Sequence, residues 1–364
     1  MVSIGIVLLI HAVTGSYAIA GAVAATRAVS YAVSSPMIGR MADRLGQARL
    51  LPPLAIANAI SMLSLICLTL THFPHWTFFI AAIGIGLTSP SLGPMVRSRW
   101  RHLLSGSSYL DAAFSLESVN DEIIFITGPI IVTFLATDVG PWSDLALAST
   151  LTVTGSLFLA AQRKTQPITH SASQAGGRAF AIRSPGILIV VVIFLLIGTI
   201  LSAVDIGMIS FAQEHDHRSL AGVLLGIYAF GSAAGGIWYG SQEWKGPSQR
   251  RFLIALSTFV VGLIPFLLIH DMDMMLATMF FSGLAISPTL IVGFGLVGRL
   301  VSKESLTEGF TWVSTGIGTG SALGSGIAGL LVDHVGSQGA FQYAMIVGLL
   351  VLLISFGGIS ALSQ

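Results

Sequence analysis

Eleven apolar segments follow one another along the chain, and this succession limits the possible folds more than any other feature. A helix needs about 20 apolar residues to cross the hydrocarbon core of a bilayer, and each segment has about that length. The segments lack the alternation of apolar and polar residues that marks membrane-spanning strands. The sequence therefore predicts an all-α, polytopic membrane protein with spans at 17–40, 50–71, 76–96, 110–136, 142–161, 186–212, 219–240, 251–269, 274–298, 307–331 and 339–361.

The composition supports this class and excludes others. Hydrophobic residues make up 54% of the 364 residues and charged residues 9%, whereas soluble domains carry about 25% charged residues. A soluble chain of this length needs far more polar surface, which excludes a soluble cytosolic enzyme, a nucleic-acid-binding protein and a disordered protein. The single cysteine, Cys67, lies in an apolar segment and supports neither a disulfide framework nor a cysteine metal site.

Residues 1–12 form a further apolar segment that is too short to span a bilayer. Twelve helical residues reach about 18 Å, against a hydrocarbon core of about 30 Å. The segment carries no charge and is followed at once by another span, which is unlike a signal peptide. We expect it to be the outer part of helix 1 in a twelve-helix design, with the start of that helix missing.

The longest polar stretch, 162–185, reads QRKTQPITHSASQAGGRAFAIRSP. Its Ser, Gly and Gln content is typical of a linker, and it carries four cations without an acid. We therefore predict an N-terminal six-helix bundle at 1–161, a cytoplasmic central linker at 162–185 and a C-terminal six-helix bundle at 186–364.

Positive charge is concentrated in alternate loops. Fifteen of the 17 Lys and Arg residues lie in one set of loops, which the positive-inside rule assigns to the cytoplasm. This set is Arg40, Arg44, Arg49, Arg97, Arg99, Arg101, Arg163, Lys164, Arg178, Arg183, Lys245, Arg250, Arg251, Arg299 and Lys303. The other loops carry Arg218 and the acids Asp138, Asp144, Glu214, Asp216, Asp271, Asp273 and Asp333. We therefore predict a multi-pass protein of the cytoplasmic membrane with its C-terminus, Gln364, in the cytoplasm.

An internal repeat relates the two halves. An offset of 201 residues superimposes Ala20, Gly21, Ala28, Ala32, Gly39 and Arg49 on Ala221, Gly222, Ala229, Ala233, Gly240 and Arg250. An offset of 196 residues superimposes Phe114, Gly128, Ile131, Leu135, Val139, Gly140 and Ala148 on Phe310, Gly324, Ile327, Leu331, Val335, Gly336 and Ala344. Two halves in the same orientation are a known transporter plan, with the solute bound between them near the midplane. Met1 falls on Ser202, whereas the seventh helix begins near Gly186. About fifteen residues at the start of the seventh helix therefore have no counterpart in helix 1.

Residues 39–49, GRMADRLGQAR, connect helices 2 and 3 on the predicted cytoplasmic side. This segment resembles the loop motif of the major facilitator superfamily, a Gly-x-x-x-Asp-Arg-x-Gly core followed by basic residues. The residues that fit are Gly39, Asp43, Arg44, Gly46 and Arg49, whereas Gln47 replaces the first basic residue. In the C-terminal half Gly240 and Lys245 remain, but Trp244 replaces the aspartate. The resemblance implies a twelve-helix secondary transporter that works by alternating access.

The resemblance also implies a role for Asp43. A carboxylate is stabilised at a helix N-terminus by about 0.3–1 kcal/mol, and in the family this partner is helix 11, which here begins near Leu306–Glu308. Such a latch closes the cytoplasmic side in the outward-open state and is released in the other state. The alternative is that Asp43 and the neighbouring arginines only set the membrane topology.

Helix 5 carries three acids within the membrane, Glu117, Asp121 and Glu122, and helix 2 carries Arg27. An ionisable group at the bilayer centre costs at least about 2.5–3.5 kcal/mol, which makes each a functional candidate. A medium of low dielectric constant favours the neutral form of a carboxyl group, so such a group binds and releases a proton near neutral pH. We predict Asp121 or Glu117 as proton carrier, Glu122 as a further member of the coupling group and Arg27 as counter-charge. The alternatives are a static ion pair, or Glu117 reaching the inner interface near Arg97–Arg101.

Asp205 lies in the outer part of helix 7, a helix that lines the central cavity in the family. We predict Asp205 and Arg27 as cavity residues, with Asp205 either binding a cationic group of the substrate or being hydrated from outside. Helix 5 also contains Gly128-Pro129, which matches part of a motif of family antiporters and favours export. The cluster Glu214–His217 has potential metal ligands, but a solvated loop is the better interpretation because zinc needs three or four converging ligands.

The function predicted from these features is secondary active transport of a small organic solute, with proton-coupled export ahead of proton-coupled uptake of a sugar or another metabolite. A non-transporting remnant or a membrane partner protein stays open as a different class. No phosphate-binding loop and no hydrolase motif occurs in the sequence, so we predict neither an enzyme nor a cofactor nor a bound metal. The expected partners are the solute, protons and membrane lipid, and not nucleic acid.

Overall fold

The computed structural model describes residues 2–107, 109–168, 180–217 and 220–358. These residues form helices and no strand, which confirms the all-α prediction. The α-helices are α1 (Val2–Thr14), α2 (Tyr17–Leu45), α3 (Gln47–Leu70), α4 (Trp76–Thr88), α5 (Leu92–Leu103), α6 (Tyr109–Phe134), α7 (Ser143–Ala161), α8 (Pro185–Glu214), α9 (Ala221–Gly240), α10 (Ser248–Val261), α11 (Ile264–Leu268), α12 (Met272–Gly283), α13 (Ile286–Leu300), α14 (Leu306–Val335) and α15 (Ser337–Gly357).

Ten spans of the described residues are long and apolar enough to cross a membrane, and they correspond to ten of the eleven predicted segments. The remaining segment, 17–40, lies in α2, which has 29 residues but a more polar composition. Arg27 and several Ser and Thr residues reduce its apolar content. The multi-pass membrane architecture is therefore confirmed, and α2 is the long helix that departs from the apolar pattern.

The fourth span of each half is a broken helix. In the N-terminal half, α4 and α5 are separated at Ser89, which has an extended conformation because Pro90 follows it. In the C-terminal half, α12 and α13 are separated at Leu284 and Ala285. Ser89 and Ala285 are 196 residues apart, the second offset of the repeat. The broken spans are therefore a structural feature that the two halves share.

The described chain divides into two compact units. Unit 1 comprises Met1–His102 with Ile123–Gly177, and unit 2 comprises Leu103–Glu122 with Arg178–Gln364. Helix α6 is thus divided between Glu122 and Ile123. The bundles 1–161 and 186–364 and the linker 162–185 stay a prediction. Parts of that prediction concern Arg178, Arg218 and Gln364, which lie outside the described residues, as do the linker residues 169–179.

Unit 1 has an apolar core to which α1, α2, α3, α4 and α7 contribute, including Leu9, Leu65, Phe78 and Leu145. Within it α2 and α4 approach closely. A Cβ atom added to Gly86 of α4 would lie 2.5 Å from the carbonyl oxygen of Arg27 in α2. A glycine is therefore required where the two helix backbones meet.

Unit 2 is organised by the pairing of α8 with α14. Three glycines of α14 follow one another at intervals of four residues and so share one face: Gly316, Gly320 and Gly324. A Cβ atom on Gly320 would lie only 1.7 Å from the carbonyl oxygen of Leu195, and one on Gly324 only 2.4 Å from that of Thr199. We call this contact the glycine seam. Glycine stripes of this kind let helix backbones pack closely in membranes.

Candidate functional site

A hydrogen-bonded polar group lies among the apolar helices of unit 2. Ser232 of α9 donates to Oε1 of Glu122 in α6 over 2.6 Å. The hydroxyl groups of Ser232 and Ser287 of α13 are 2.9 Å apart, and both serines are fully buried. A hydrogen bond from a hydroxyl group to a carboxylate is stronger than one between neutral groups. Residues of α13, α9 and α6 thus form one hydrogen-bonded chain that ends at the Glu122 carboxyl group.

Packing between α6 and α9 sets the rotation of Glu122. The hydroxyl group of Ser115 donates to the carbonyl oxygen of Gly236 over 2.6 Å. A Cβ atom on Gly240 would lie 2.4 Å from the Cβ atom of Ser115, so the backbone of α9 approaches α6 closely at this point. Since Glu122 lies seven residues beyond Ser115, two helical turns place it on the same side of α6.

Tyr228 extends the polar group along α9, one turn before Ser232. Its ring packs edge-on against Phe266, with ring centroids 6.4 Å apart, and only 5% of the residue is exposed. Its hydroxyl group is buried and has no hydrogen-bond partner in the described structure. A buried tyrosine hydroxyl group usually has such a partner, so this atom is a candidate contact for a ligand.

Asp205 of α8 completes the group. Its charge interacts with Glu122, and the charges of both carboxyl groups act on Tyr228. Among the described residues, no hydrogen-bond donor and no cation is assigned to Asp205. Asp205 is partly exposed, as is Glu122. We call Glu122, Asp205, Tyr228, Ser232 and Ser287 the acidic cluster.

The three acids predicted on helix 5 differ in their surroundings. Glu122 enters the acidic cluster, whereas Asp121 is exposed and Glu117 is partly exposed. Both of these have interactions of their own. The predicted roles of Glu117, Asp121 and Glu122 in proton coupling stay predictions, but of the three it is Glu122 that is hydrogen-bonded to Ser232.

Arg27 lies ten residues after the start of α2 in unit 1, away from the charged residues at the end of that helix. One terminal nitrogen of its guanidinium group donates to Ser3 of α1 over 3.1 Å. The guanidinium carbon lies 5.5 Å from the ring centroid of Tyr31, a cation–π arrangement. The Nε atom is buried without a hydrogen-bond partner in the described structure. The predicted cavity and coupling roles of Arg27 stay predictions.

The loop motif of unit 1 contains a buried polar hub that sequence reasoning missed. Gly46 has a φ of 85° and ends α2, so a glycine is favoured at this turn. The next residue, Gln47, is 1% exposed. Its amide nitrogen donates to the Ser98 hydroxyl group over 2.9 Å, and its amide oxygen accepts from Nε of Arg99 over 2.7 Å. The residue that departs from the family pattern is therefore the one that orients a buried arginine.

Arg99 links this hub to the end of α7. Its guanidinium group donates to the carbonyl oxygens of Leu159 and Gln162 and to the hydroxyl group of Thr165, over 2.8, 2.9 and 2.7 Å. The C-terminus of a helix attracts a cation, which explains how the charge is accommodated. The sequence placed Arg97 and Arg99 in a loop, but α5 continues to Leu103 and both arginines are buried.

The latch predicted for Asp43 concerns residues in separate units and stays a prediction. Asp43 is partly buried, whereas Arg44 and Arg49 are exposed. Helix α14 begins at Leu306, where the start of helix 11 was predicted. Its first turn contains buried Glu308, whose carboxylate accepts the backbone N–H of Ala181 over 2.9 Å. The end of the linker is thereby tied to the start of α14.

An ion pair in unit 2 joins α6 to α10. Arg251 donates to Asp111 over 2.6 Å and to the hydroxyl group of Tyr239 over 2.9 Å. Both charges are largely shielded, with 12% of the Arg251 side chain and 21% of the Asp111 side chain exposed. Asp111 and Arg251 are close to the predicted cytoplasmic ends of their helices. The pair therefore fixes the start of α6 within unit 2.

Comparisons with known proteins agree with this architecture. The family model described as Major Facilitator Superfamily matches residues 1–270 and 218–360. No curated protein matches the sequence. The crystal structure of the human organic anion transporter MFSD10 (TETRAN) aligns with a TM-score of 0.66 at 16% identity, covering 91% of this chain and 82% of that chain. A bacterial homologue of the iron transporter ferroportin, in an outward-facing state with soaked iron, aligns with a TM-score of 0.69 at 12% identity, covering 98% and 93%. Identities this low show a shared fold alone.

Proposed function

This chain belongs to the Major Facilitator Superfamily, and from that premise we propose that it exports a small organic solute across the cytoplasmic membrane in exchange for protons. Membership of the family supports membrane transport by alternating access. The acidic cluster is the observation that carries the finer proposal. It combines two interacting carboxyl groups, Glu122 and Asp205, with three hydroxyl groups in otherwise apolar helices.

Two carboxylates in one site of low dielectric constant repel each other, so the site favours the gain of a proton or of a cation. Release of the proton then depends on what else occupies the site, which is the requirement for coupled exchange. We propose Glu122 as the proton carrier, because its carboxyl group has both a fixed orientation at Ser232 and an acidic neighbour. Asp121 and Glu117 are the alternative carriers. Arg27 and Asp205 are proposed as residues of the solute cavity.

The proposal is tested with the purified protein in liposomes that contain a pH-sensitive dye. A panel of organic solutes is added outside while the lumen is acidic, and solute-dependent loss of luminal protons is measured. We expect Glu122→Gln to abolish solute-dependent proton movement and Asp121→Asn to retain it. Loss with Asp121→Asn and retention with Glu122→Gln would transfer the role to Asp121.

Direction is tested in inside-out and right-side-out membrane vesicles with an imposed pH gradient. Solute uptake into acidic inside-out vesicles is the result expected of an exporter. Accumulation in right-side-out vesicles with an acidic exterior would replace export by proton-coupled uptake. If vesicles of neither orientation take up any solute of the panel under a pH gradient, the result would favour a non-transporting membrane partner protein over a transporter.

The loop motif supplies a separate prediction about gating. We expect Asp43→Asn to lower the transport rate several-fold without lowering the amount of protein in the membrane, because the amide retains the size of the side chain but loses the charge. The measurement compares the initial transport rate with the amount of protein extracted from the membrane. Lys164→Gln, which removes an exposed charge from the predicted cytoplasmic linker, is the matched control. An unchanged rate in Asp43→Asn would refute the latch and leave the loop with a topological role.

A further inference from the structure

We propose that the acidic cluster binds a monovalent organic cation, a protonated amine, through an ion pair with Asp205 and a hydrogen bond with Tyr228. This inference rests on the proposed function, since it names the substrate class of the same site. All the residues concerned belong to unit 2.

The charge balance of the surrounding helices calls for a cation. Neither Pro185–Glu214 nor Ala221–Gly240 contains a Lys or Arg. The described residues provide no ion pair or donor for Asp205, and its charge interacts unfavourably with that of Glu122. Ionisable groups in membrane spans normally pair with one another or line a pathway. A positively charged solute beside Asp205 would therefore provide the counter-charge that these helices lack, whereas an anionic solute would be repelled.

Tyr228 supplies an observation that is independent of the acids. Its hydroxyl group is buried, has no partner within the described structure and lies within electrostatic range of both Asp205 and Glu122. A phenolic oxygen accepts a hydrogen bond from an N–H group. A protonated primary amine has three such donors, so it can pair with a carboxylate and still donate to a hydroxyl group.

The composition of the site favours an organic cation over a metal ion. Ca²⁺ takes six to eight oxygen ligands, and transition metals favour His or Cys. Among the described residues, no group of three or more His, Cys, Asp or Glu side chains could hold a metal ion. Aromatic side chains adjoin the cluster instead, because Tyr228 packs on Phe266 and Phe266 on Phe341, with centroids 6.4 and 5.6 Å apart. Such surroundings suit an amine with an apolar body.

The experiment uses four probes that share a phenyl ring and differ in charge and in hydrogen-bond donors. Benzylammonium is the amine, benzyltrimethylammonium is a cation without N–H groups, benzyl alcohol is neutral and benzoate is an anion. Binding to the purified full-length protein in nanodiscs is measured by calorimetry. We expect both cations to bind at least tenfold more tightly than benzyl alcohol and benzoate not to bind.

Two variants separate the two contacts. Asp205→Asn should weaken both cations at least tenfold, because the ion pair is lost. Tyr228→Phe should weaken benzylammonium several-fold and leave benzyltrimethylammonium unchanged, because only the amine donates to the hydroxyl group. The matched control is Asp333→Asn, which removes an exposed carboxylate at the end of α14 in the same unit. Asp333→Asn should leave all four affinities unchanged.

Several outcomes overturn the inference. Equal binding of all four probes would contradict it, and so would the absence of binding of either cation. Equal affinity for the cations in Asp205→Asn and in the unaltered protein would also contradict it. If Asp205→Asn does not fold, the split between the two cations in Tyr228→Phe decides alone, and equal weakening of both counts against the proposal. Cation binding that moves no protons in liposomes would refute proton-coupled export and leave the cation site intact. Proton exchange driven only by neutral or anionic solutes would refute the cation site and leave export intact.

Discussion

Arg27 and Tyr228 occupy the same position in the two halves of the sequence, 201 residues apart. In each half the carbonyl oxygen of this residue faces a glycine of the fourth span. A Cβ atom on Gly86 would lie 2.5 Å from the carbonyl oxygen of Arg27, and one on Gly283 would lie 2.3 Å from that of Tyr228. The side chains differ completely, since one is a cation over Tyr31 and the other a buried phenol near two acids.

This comparison separates what the repeat maintains from what it leaves free. The close approach of the second and fourth helices is a matter of backbone volume, so a glycine is needed in both halves. The side chain that projects from the same position is not constrained by that contact. Unit 1 therefore presents a positive group on α2, whereas unit 2 presents an acidic cluster beside α9. The two halves therefore share the helix contact but differ in the charged and polar side chains beside it.

The largest effect is expected when the shared contact is removed. Gly86→Leu and Gly283→Leu each force a side chain into a helix backbone, and overpacking of this kind costs about 1–3 kcal/mol or more. Both variants should lose most of the folded protein, measured as the monodisperse fraction recovered in detergent. Gly226→Leu is the control, because a Cβ atom there meets nothing within 4 Å. A large loss in one half with normal recovery in the other would break the equivalence of the two contacts.

The next effect concerns the side chains alone. Tyr228→Arg places in unit 2 the residue that unit 1 has at the same position. The new guanidinium group would pair with Asp205 or Glu122, so we expect solute-dependent proton movement to fall at least tenfold. The readout is the initial rate in liposomes at equal protein content. Retained transport would mean that the acidic cluster is not the working site, and Arg27→Tyr measures whether unit 1 tolerates the reverse change.

A moderate effect is expected from Ser232→Ala. This variant removes the hydroxyl group that donates to Glu122, and a hydrogen bond to a charged group contributes about 1.5–3 kcal/mol. The bond holds the Glu122 carboxyl group in a fixed orientation, so its loss should lower the initial rate of solute-dependent proton movement several-fold. Ser287→Ala, which changes a hydroxyl group that contacts Ser232 and not Glu122, should lower the rate less. An unchanged rate in Ser232→Ala would contradict the proposed role of the bond.

The smallest effect is expected from Arg27→Lys. The charge is retained, but the planar group over Tyr31 is lost, and a cation–π contact contributes about 0.5–2 kcal/mol. We expect a decrease of a few degrees in melting temperature and little change in transport. A loss of transport equal to that of Arg27→Ala would show that the geometry of the guanidinium group matters in unit 1 as much as its charge.

The sequence predicted the helices and the repeat, because hydropathy and spacing can be read directly from the order of residues in the chain. It did not predict which of Glu117, Asp121 and Glu122 joins a polar cluster. That choice depends on the rotation of α6, which Ser115 sets by packing on Gly236 and Gly240, residues more than 100 positions away. A spacing rule within one helix contains no such information.

Gln47 was missed for a related reason. In the sequence it is a neutral residue where a basic one was expected, and nothing nearby indicates that Arg99 would be buried beside it. Burial of Arg99 depends on its hydrogen bonds to carbonyl oxygens at the end of α7. These atoms come close to Arg99 only when unit 1 is folded. One signal was available, because Gln47 replaces a basic residue that the resemblance leads one to expect at this position.

The glycine seam between α8 and α14 also has a consequence for biosynthesis. The two helices are separated by the 91 residues between Glu214 and Leu306. At about 5–20 residues per second, the ribosome needs roughly 5–20 seconds to supply them. During that interval α8 is inserted without its principal partner, and the surface that later meets Gly320 faces lipid or the insertion machinery. Unit 2 is therefore completed late in translation, and slowing synthesis between these helices would lengthen the time in which α8 is open to quality control.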